Sequence, residues 1–157
     1  MSLRLFQSLF SPAYEIPPEA EARFADESLC RRCGRCCHSA MRLQGKFVLL
    51  KDLPCRHLTW EDDGRACCRI YARREATGYC NKLCRSSVER NLFPPDCPYM
   101  QGIPGYQGKV EVREDEFRSL LPGLRKIFQG YPKPDAVTRR DWDHFLSEVL
   151  KLDGGSR

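Results

Sequence analysis

Four cysteines fall within eight residues at Cys30-Arg31-Arg32-Cys33-Gly34-Arg35-Cys36-Cys37, a density of thiols that side-chain packing alone does not call for. The two Cys-x-x-Cys steps, Cys30 to Cys33 and Cys33 to Cys36, have the separation with which a tight turn presents two thiolates to one Zn²⁺ or one iron-sulfur cluster. Gly34 supplies the backbone freedom such a turn needs. Cys36 and Cys37 are adjacent, and consecutive side chains generally point apart, so one of this pair belongs to a second site or to none. The box therefore reads as the start of a two-centre metal-thiolate assembly whose remaining ligands lie further along the chain.

How ten cysteines are read depends on the compartment. The chain has no run of about 18 apolar residues that would span a membrane, and Leu3 to Phe10 is broken by Arg4, Gln7 and Ser8. The expected compartment is the cytosol, where reducing conditions shift a cysteine-rich pattern from disulfides toward metal ligation. A length of 157 residues fits one domain, but a mean hydropathy of −0.54 and 30% charged residues leave modest apolar material, so thiolate cross-links would add much of the order. Of the net charge of +5, residues 30–97 alone carry +7, from 14 basic and 7 acidic side chains. Eight thiolates on two Zn²⁺ carry −4, which would bring that segment to +3 and make its basic residues counter-charge for the metal centres.

Along the chain, Leu3, Leu5, Phe6, Leu9 and Phe10 suggest a short apolar-faced helix, and Glu19 to Leu29 a second helix after Pro17-Pro18. Lys46 to Leu50 reads as a short buried strand. Asp63-Gly64 suits a two-residue type I′ turn, which would pair Glu61 with Ala66, Trp60 with Cys67 and Thr59 with Cys68. Alternation along a strand then points Cys67 and Cys68 to opposite faces. Cys55 precedes Thr59 by four residues, roughly 13 Å of extended chain, so Cys55 and Cys68 share an ion only if the chain bends at His57-Leu58. Tyr79 to Asn91 has helical spacing, with Cys80 and Cys84 on one face, where they could chelate together or line a core. For Cys84 the core reading is preferred. Beyond Cys97-Pro98-Tyr99, the alternation of Lys109 to Arg113 suggests a half-exposed strand. Glu114 to Leu121 and Leu124 to Phe128 suggest helical pieces interrupted by Pro122-Gly123. The clearest helix is the last, with Thr138 and Asp141 at its start and Trp142, Phe145, Leu146, Val149 and Leu150 on one face.

Several of these pieces together resemble the bacterial CxxCxxCC cysteine-cluster proteins (YkgJ-like), described as a zinc- or iron-chelating domain. The matching stretches are Glu27 to Cys37, Cys55 to Leu58, Cys68 to Arg74, Cys80 to Leu83 and Pro95 to Tyr99, covering about residues 27–99. Position by position, the resemblance implies metal ligation by Cys30, Cys33, Cys36, Cys37, Cys55, Cys68, Cys80 and Cys97, enough for two sites of four. Cys67 and Cys84 are not required by the pattern, so the choices between Cys67 and Cys68 and between Cys80 and Cys84 stay open. The resemblance implies a metal-binding domain without supplying a reaction.

The expected architecture is a small α+β fold with an irregular, metal-thiolate-stabilised cysteine-rich core, short strands or a hairpin, and flanking helices. It forms one domain over residues 1–157, with the metal-binding core at 27–99 and a helical extension at 100–157 packed on it. Closed four-thiolate zinc sites are structural, which favours a non-catalytic binding or metal-handling role in the cytoplasm, with metal ions as partners and no protein partner indicated. Iron is the alternative, as an iron-sulfur cluster in a redox or radical enzyme component: Cys30, Cys33 and Cys36 have ferredoxin-like spacing and Cys97-Pro98 a ferredoxin-like end, although Cys37 departs from that pattern. His38 and His57 read as neighbours of the ligands or surface residues. A nucleic-acid-binding zinc module would need aromatic residues among the basic ones, and Tyr71, Tyr79 and Tyr99 are sparse and close to cysteines. No phosphate loop, Ser-His-Asp set or nucleophile elbow is present.

Overall fold

The computed structural model describes residues 14–80 and 82–150. The helix expected over Leu3 to Phe10 lies outside them.

Strands β1 (His38–Leu43) and β2 (Lys46–Pro54) form an antiparallel hairpin, with Met41 opposite Val48 and Leu43 opposite Lys46. Gln44 and Gly45, at φ 48° and 78°, close it with the two left-handed residues that a two-residue hairpin loop favours. This x-Gly turn before Lys46 was readable in the sequence, and it makes β1 the partner that a lone strand at Lys46 to Leu50 needs. A short β5 (Lys109–Val110) joins β2 in parallel, giving the order β1-β2-β5.

Helices α3 (Glu114–Phe128) and α4 (Arg139–Leu150) pack against each other and against this sheet. Their shared core contains Val48, Leu50 and Leu53 from β2, Leu120, Leu124 and Phe128 from α3, and Trp142, Phe145 and Val149 from α4. The Asp141 amide donates to Thr138 Oγ1 at 3.1 Å, so the cap expected at the start of α4 is formed. α3 does not break at Pro122. Pro122 is exposed, on the side of the helix away from the core. Burial of Leu120, Leu121, Leu124 and Phe128, at about 1.5–3 kcal/mol each, outweighs the roughly 3 kcal/mol that an interior proline costs.

A second apolar cluster gathers Ile16, then Ala20 of α1 (Pro18–Ala22), Val88 of α2 (Arg85–Glu89), Tyr99, Met100 and Ile103. The expected helix over Glu19 to Leu29 is split into α1 and two 3₁₀ turns, Arg23–Ala25 and Glu27–Leu29, the second capped by Asp26. Together these elements make a small α+β fold. Among the described residues no helix is long and apolar enough to cross a membrane.

The stretch from Cys55 to Cys84 differs from both clusters. Of its described residues Ala66 alone is buried. It holds a small hairpin, β3 (Leu58–Trp60) with β4 (Ala66–Cys68), and a 3₁₀ segment, Tyr71–Thr77. Five of the chain's ten cysteines lie in it.

The hairpin register is one residue away from the expected one. Trp60 pairs with Ala66, Thr59 with Cys67 and Leu58 with Cys68. The Gly64 amide donates to Glu61 O and the Glu61 amide to Arg65 O, each at 2.9 Å, and Gly64 has φ 81°. The loop is thus three residues ending in a left-handed glycine, and the Asp63 carboxylate holds it by accepting from the Arg65 amide and Nε. The helix expected from Tyr79 to Asn91 is confined to α2, so Cys80 and Cys84 share no helical face. Cys84 is the exposed residue that precedes α2, its amide donating to Ser87 Oγ at 2.9 Å, and the core reading preferred for it is overturned.

Candidate metal centre

None of the ten cysteines is in a disulfide. The box Cys30 to Cys37 is a chain of turns. Arg32 has φ 54°, and its amide donates to Cys30 Sγ at 3.4 Å. Gly34 has φ 75° and leads into a 3₁₀ turn, Arg35–Cys37. A Cβ at Gly34 would lie 2.9 Å from the Trp60 ring and 3.0 Å from the Ala66 Cβ, so the position is constrained by both conformation and contact. Gly34→Ala is expected to cost about 2 kcal/mol, from the left-handed backbone plus the overlap with the hairpin. A urea midpoint equal to that of the unaltered protein would contradict this.

Arg32 fastens the β3–β4 hairpin to the box. Its carbonyl accepts from the Ala66 amide at 2.7 Å, its Nε donates to Ala66 O at 2.9 Å, and its guanidinium meets Glu61 at 2.8 Å. Arg35 does the same for the last cysteine segment. It pairs with Asp96 at 2.8 Å, beside Cys97 in the chain. The Cys55 amide donates to Cys37 O at 2.7 Å, and the Leu58 amide closes a turn back onto Cys55 O at 2.9 Å. That turn is the bend required at His57-Leu58, and it lets Cys55 and Cys68 face one space.

Two adjacent cavities, each about 450 Å³, result. One is lined by Cys36, Cys37, Cys55, Cys68 and Cys80. The other is lined by Cys30, Cys33, Cys36, Cys37, Cys67, Cys68 and Cys97. All eight cysteines expected as ligands thus stand in the walls of this pair of cavities, Cys67 accompanies them, and Cys84 lines neither. The structure brings the chain segments together but not the sulfurs into a cage. In these rotamers no three Cys, His, Asp or Glu side chains of the described residues form a group that could hold an ion.

The electrostatics distinguish the adjacent pair. Cys36 Sγ lies 3.9 Å from Cys37 Sγ. The hydrogen bond from Cys37, then the charges of Lys109 and Arg35, hold the Cys36 thiol well below its usual range, and the same bond together with burial drives Cys37 up. Burial pushes the Cys97 thiol up to about 11. His38, whose Nδ1 donates to Gly34 O at 2.9 Å, is held below the usual imidazole value by burial. His57 Nε2 lies 2.7 Å from the Tyr79 hydroxyl with the rings stacked, which fixes both beside Cys55 and Cys80. Arg74 lies 3.9 Å over the Tyr71 ring, and this pair borders both cavities.

Lys109 was placed on a half-exposed strand by its alternation, yet it is buried, with 3% of its surface exposed. Its Nζ donates to the carbonyls of Arg35 (3.5 Å), Cys36 (3.1 Å) and His38 (2.5 Å), and its amide to Phe93 O at 3.0 Å. Burial lowers its ammonium to about 8 against the opposing pull of Cys36 and Cys37. Nothing local in Lys-Val-Glu-Val-Arg marks this residue as the cation under the cysteine box.

A UPF0260 protein of Vibrio atlanticus (strain LGP32) is 34% identical over 130 residues, covering 77% of this chain and 84% of the Vibrio protein. The chain belongs to the UPF0260 family. An uncharacterized protein of Methanocaldococcus jannaschii is 33% identical over 93 residues, 56% of this chain, and the match spans 62% of that archaeal protein. No family profile matches the chain. No solved structure matches it. As a UPF0260 member it is thus placed by its relatives, while the chemistry has to be argued from its own cysteines.

Proposed function

We propose that the protein is a CxxCxxCC-type metal-chelating module that binds zinc through Cys30, Cys33, Cys36, Cys37, Cys55, Cys68, Cys80 and Cys97 in two centres, in a non-catalytic binding or metal-handling role in the cytoplasm. The carrying observation is the stretch from Cys55 to Cys84. Ordering a residue costs about 1–2 kcal/mol of backbone entropy, and this stretch, with Ala66 the one buried residue among those described, has too little apolar burial to offset that. Its Cys55, Cys67, Cys68 and Cys80 face the cavities that the box also lines, and thiolate-metal bonds are the cross-links that would supply the missing stabilisation. Arg35 in the box and Lys109 beside it suit anionic sulfur and therefore a bound cation.

One observation favours iron as the second reading. Cys30, Cys33 and Cys36 share a cavity with Cys97, which is followed by Pro98, the ligand run of a ferredoxin-type cluster apart from the additional Cys37. Elemental analysis of anaerobically purified protein, with its visible spectrum, decides between them. About two zinc per chain and no colour supports the first reading, and iron with acid-labile sulfide replaces it by the second. Protein that takes up neither metal refutes both. Cys33→Ser is expected to lose metal and destabilise the fold, whereas Cys84→Ser keeps the full metal count, because Cys84 lines neither cavity. Equal loss in the two variants would refute the ligand assignment.

A further inference from the structure

Cys55 and Cys80 line one cavity only, and Cys30, Cys33, Cys67 and Cys97 line the other only. Cys36, Cys37 and Cys68 border both. Backbone geometry assigns them. The Cys55 amide is bonded to Cys37 O, and the Cys55-to-Leu58 turn brings Cys55 back beside Leu58, the residue that Cys68 faces across the hairpin, so Cys37 and Cys68 go with Cys55 and Cys80. Cys36 stays with Cys30, Cys33 and Cys97, whose segment Arg35 ties to the box through Asp96. Cys67, one residue earlier on β4, alternates to the other side and does not border the cavity of Cys55 and Cys80.

We propose, building on the metal reading above, that Cys30, Cys33, Cys36 and Cys97 hold one metal centre, that Cys37, Cys55, Cys68 and Cys80 hold the other, and that the Cys36–Cys37 peptide is the seam between them. Two four-thiolate sites with divalent cations would each carry a net charge of −2 and repel across one peptide bond. Lys109 is placed for that repulsion, with its ammonium on the carbonyls of Arg35, Cys36 and His38, on both sides of the seam. Cys67 and Cys84 are outside both sets.

The test removes metal stepwise from the metal-loaded full chain with a chelator, alkylates free thiols with N-ethylmaleimide at each stage, and maps the labels by native and peptide mass spectrometry. Molecules retaining one metal are expected to carry new label on one quartet and not on the other. Label drawn from both quartets in the one-metal species, or simultaneous release of all eight thiols with no one-metal species, overturns the partition. The double variant Cys30→Ser/Cys97→Ser is expected to keep one metal, and Cys30→Ser/Cys55→Ser to keep none. Equal retention by the two overturns the partition as well. If the unaltered chain binds no metal and all ten thiols label from the start, the metal reading itself has failed, which is a separate result.

Discussion

Stripping metal from the anaerobically purified protein is expected to abolish amide-exchange protection from Cys55 to Cys84 while leaving β2 and α4 protected. The expectation rests on a difference in how the two regions are held. Val48, Leu50, Trp142 and Phe145 belong to a dry core that needs no ligand, whereas Cys55 to Cys84 has Ala66 as its one buried residue among those described. Structural zinc contributes on the order of 10–16 kcal/mol per site in small domains, against a net stability of about 5–15 kcal/mol for a whole protein. Losing two such sites would remove more than this stretch can supply by packing, and its open form would dominate. Retained protection from Cys55 to Cys84 after complete chelation would show that side-chain packing and hydrogen bonds suffice, and the metal account of the fold would fall.

Replacing Lys109 by methionine is expected to lower stability by about 3 kcal/mol or more, read as a fall in the urea midpoint of the metal-loaded protein. The side chains are similar in length, so the loss isolates the charge. The carbonyls of Cys36 and His38 would lose the ammonium that donates to them, while that of Arg35 keeps the His38 amide, and an unsatisfied buried polar group costs about 1–3 kcal/mol. The thiolates beside them would also lose their nearest buried cation, so metal should leave faster. Lys126→Met, at an exposed position on α3, is the control and is expected to change the midpoint by less than about 0.5 kcal/mol. A Lys109→Met midpoint equal to the control's would remove Lys109 from the site.

Local signals served well where one element answers to its own residues. The Thr138-Asp141 cap and the apolar stripe from Trp142 to Val149 predict α4, and the structure places that stripe in the core. The strand at Lys46 is present but runs on to Pro54, because its partner β1 extends the ladder. The Asp-Gly turn was found in the right place with the wrong loop length. Glu61 and Arg65 close a three-residue loop, and the shift of one residue decides what each cysteine of β4 faces. Cys80 and Cys84 have helical spacing in sequence, but α2 begins only at Arg85, so their periodicity had no helix to act through.

What the chain order determined by itself is the chemistry available: eight cysteines in a recurring pattern and a glycine where the box must turn left-handed. Short-range sterics govern those features, so they can be read from neighbours. The adjacent thiols Cys36 and Cys37, expected to point apart, instead lie 3.9 Å from each other and border the same two cavities. What only the tertiary structure decided is which distant sulfurs line the same cavity, that Cys55 folds back toward Cys68, and that Lys109 lies buried beneath the box. These depend on hydrogen bonds and burial between segments tens of residues apart, such as Lys109 to Cys36 and Arg32 to Ala66, and no local spacing records them.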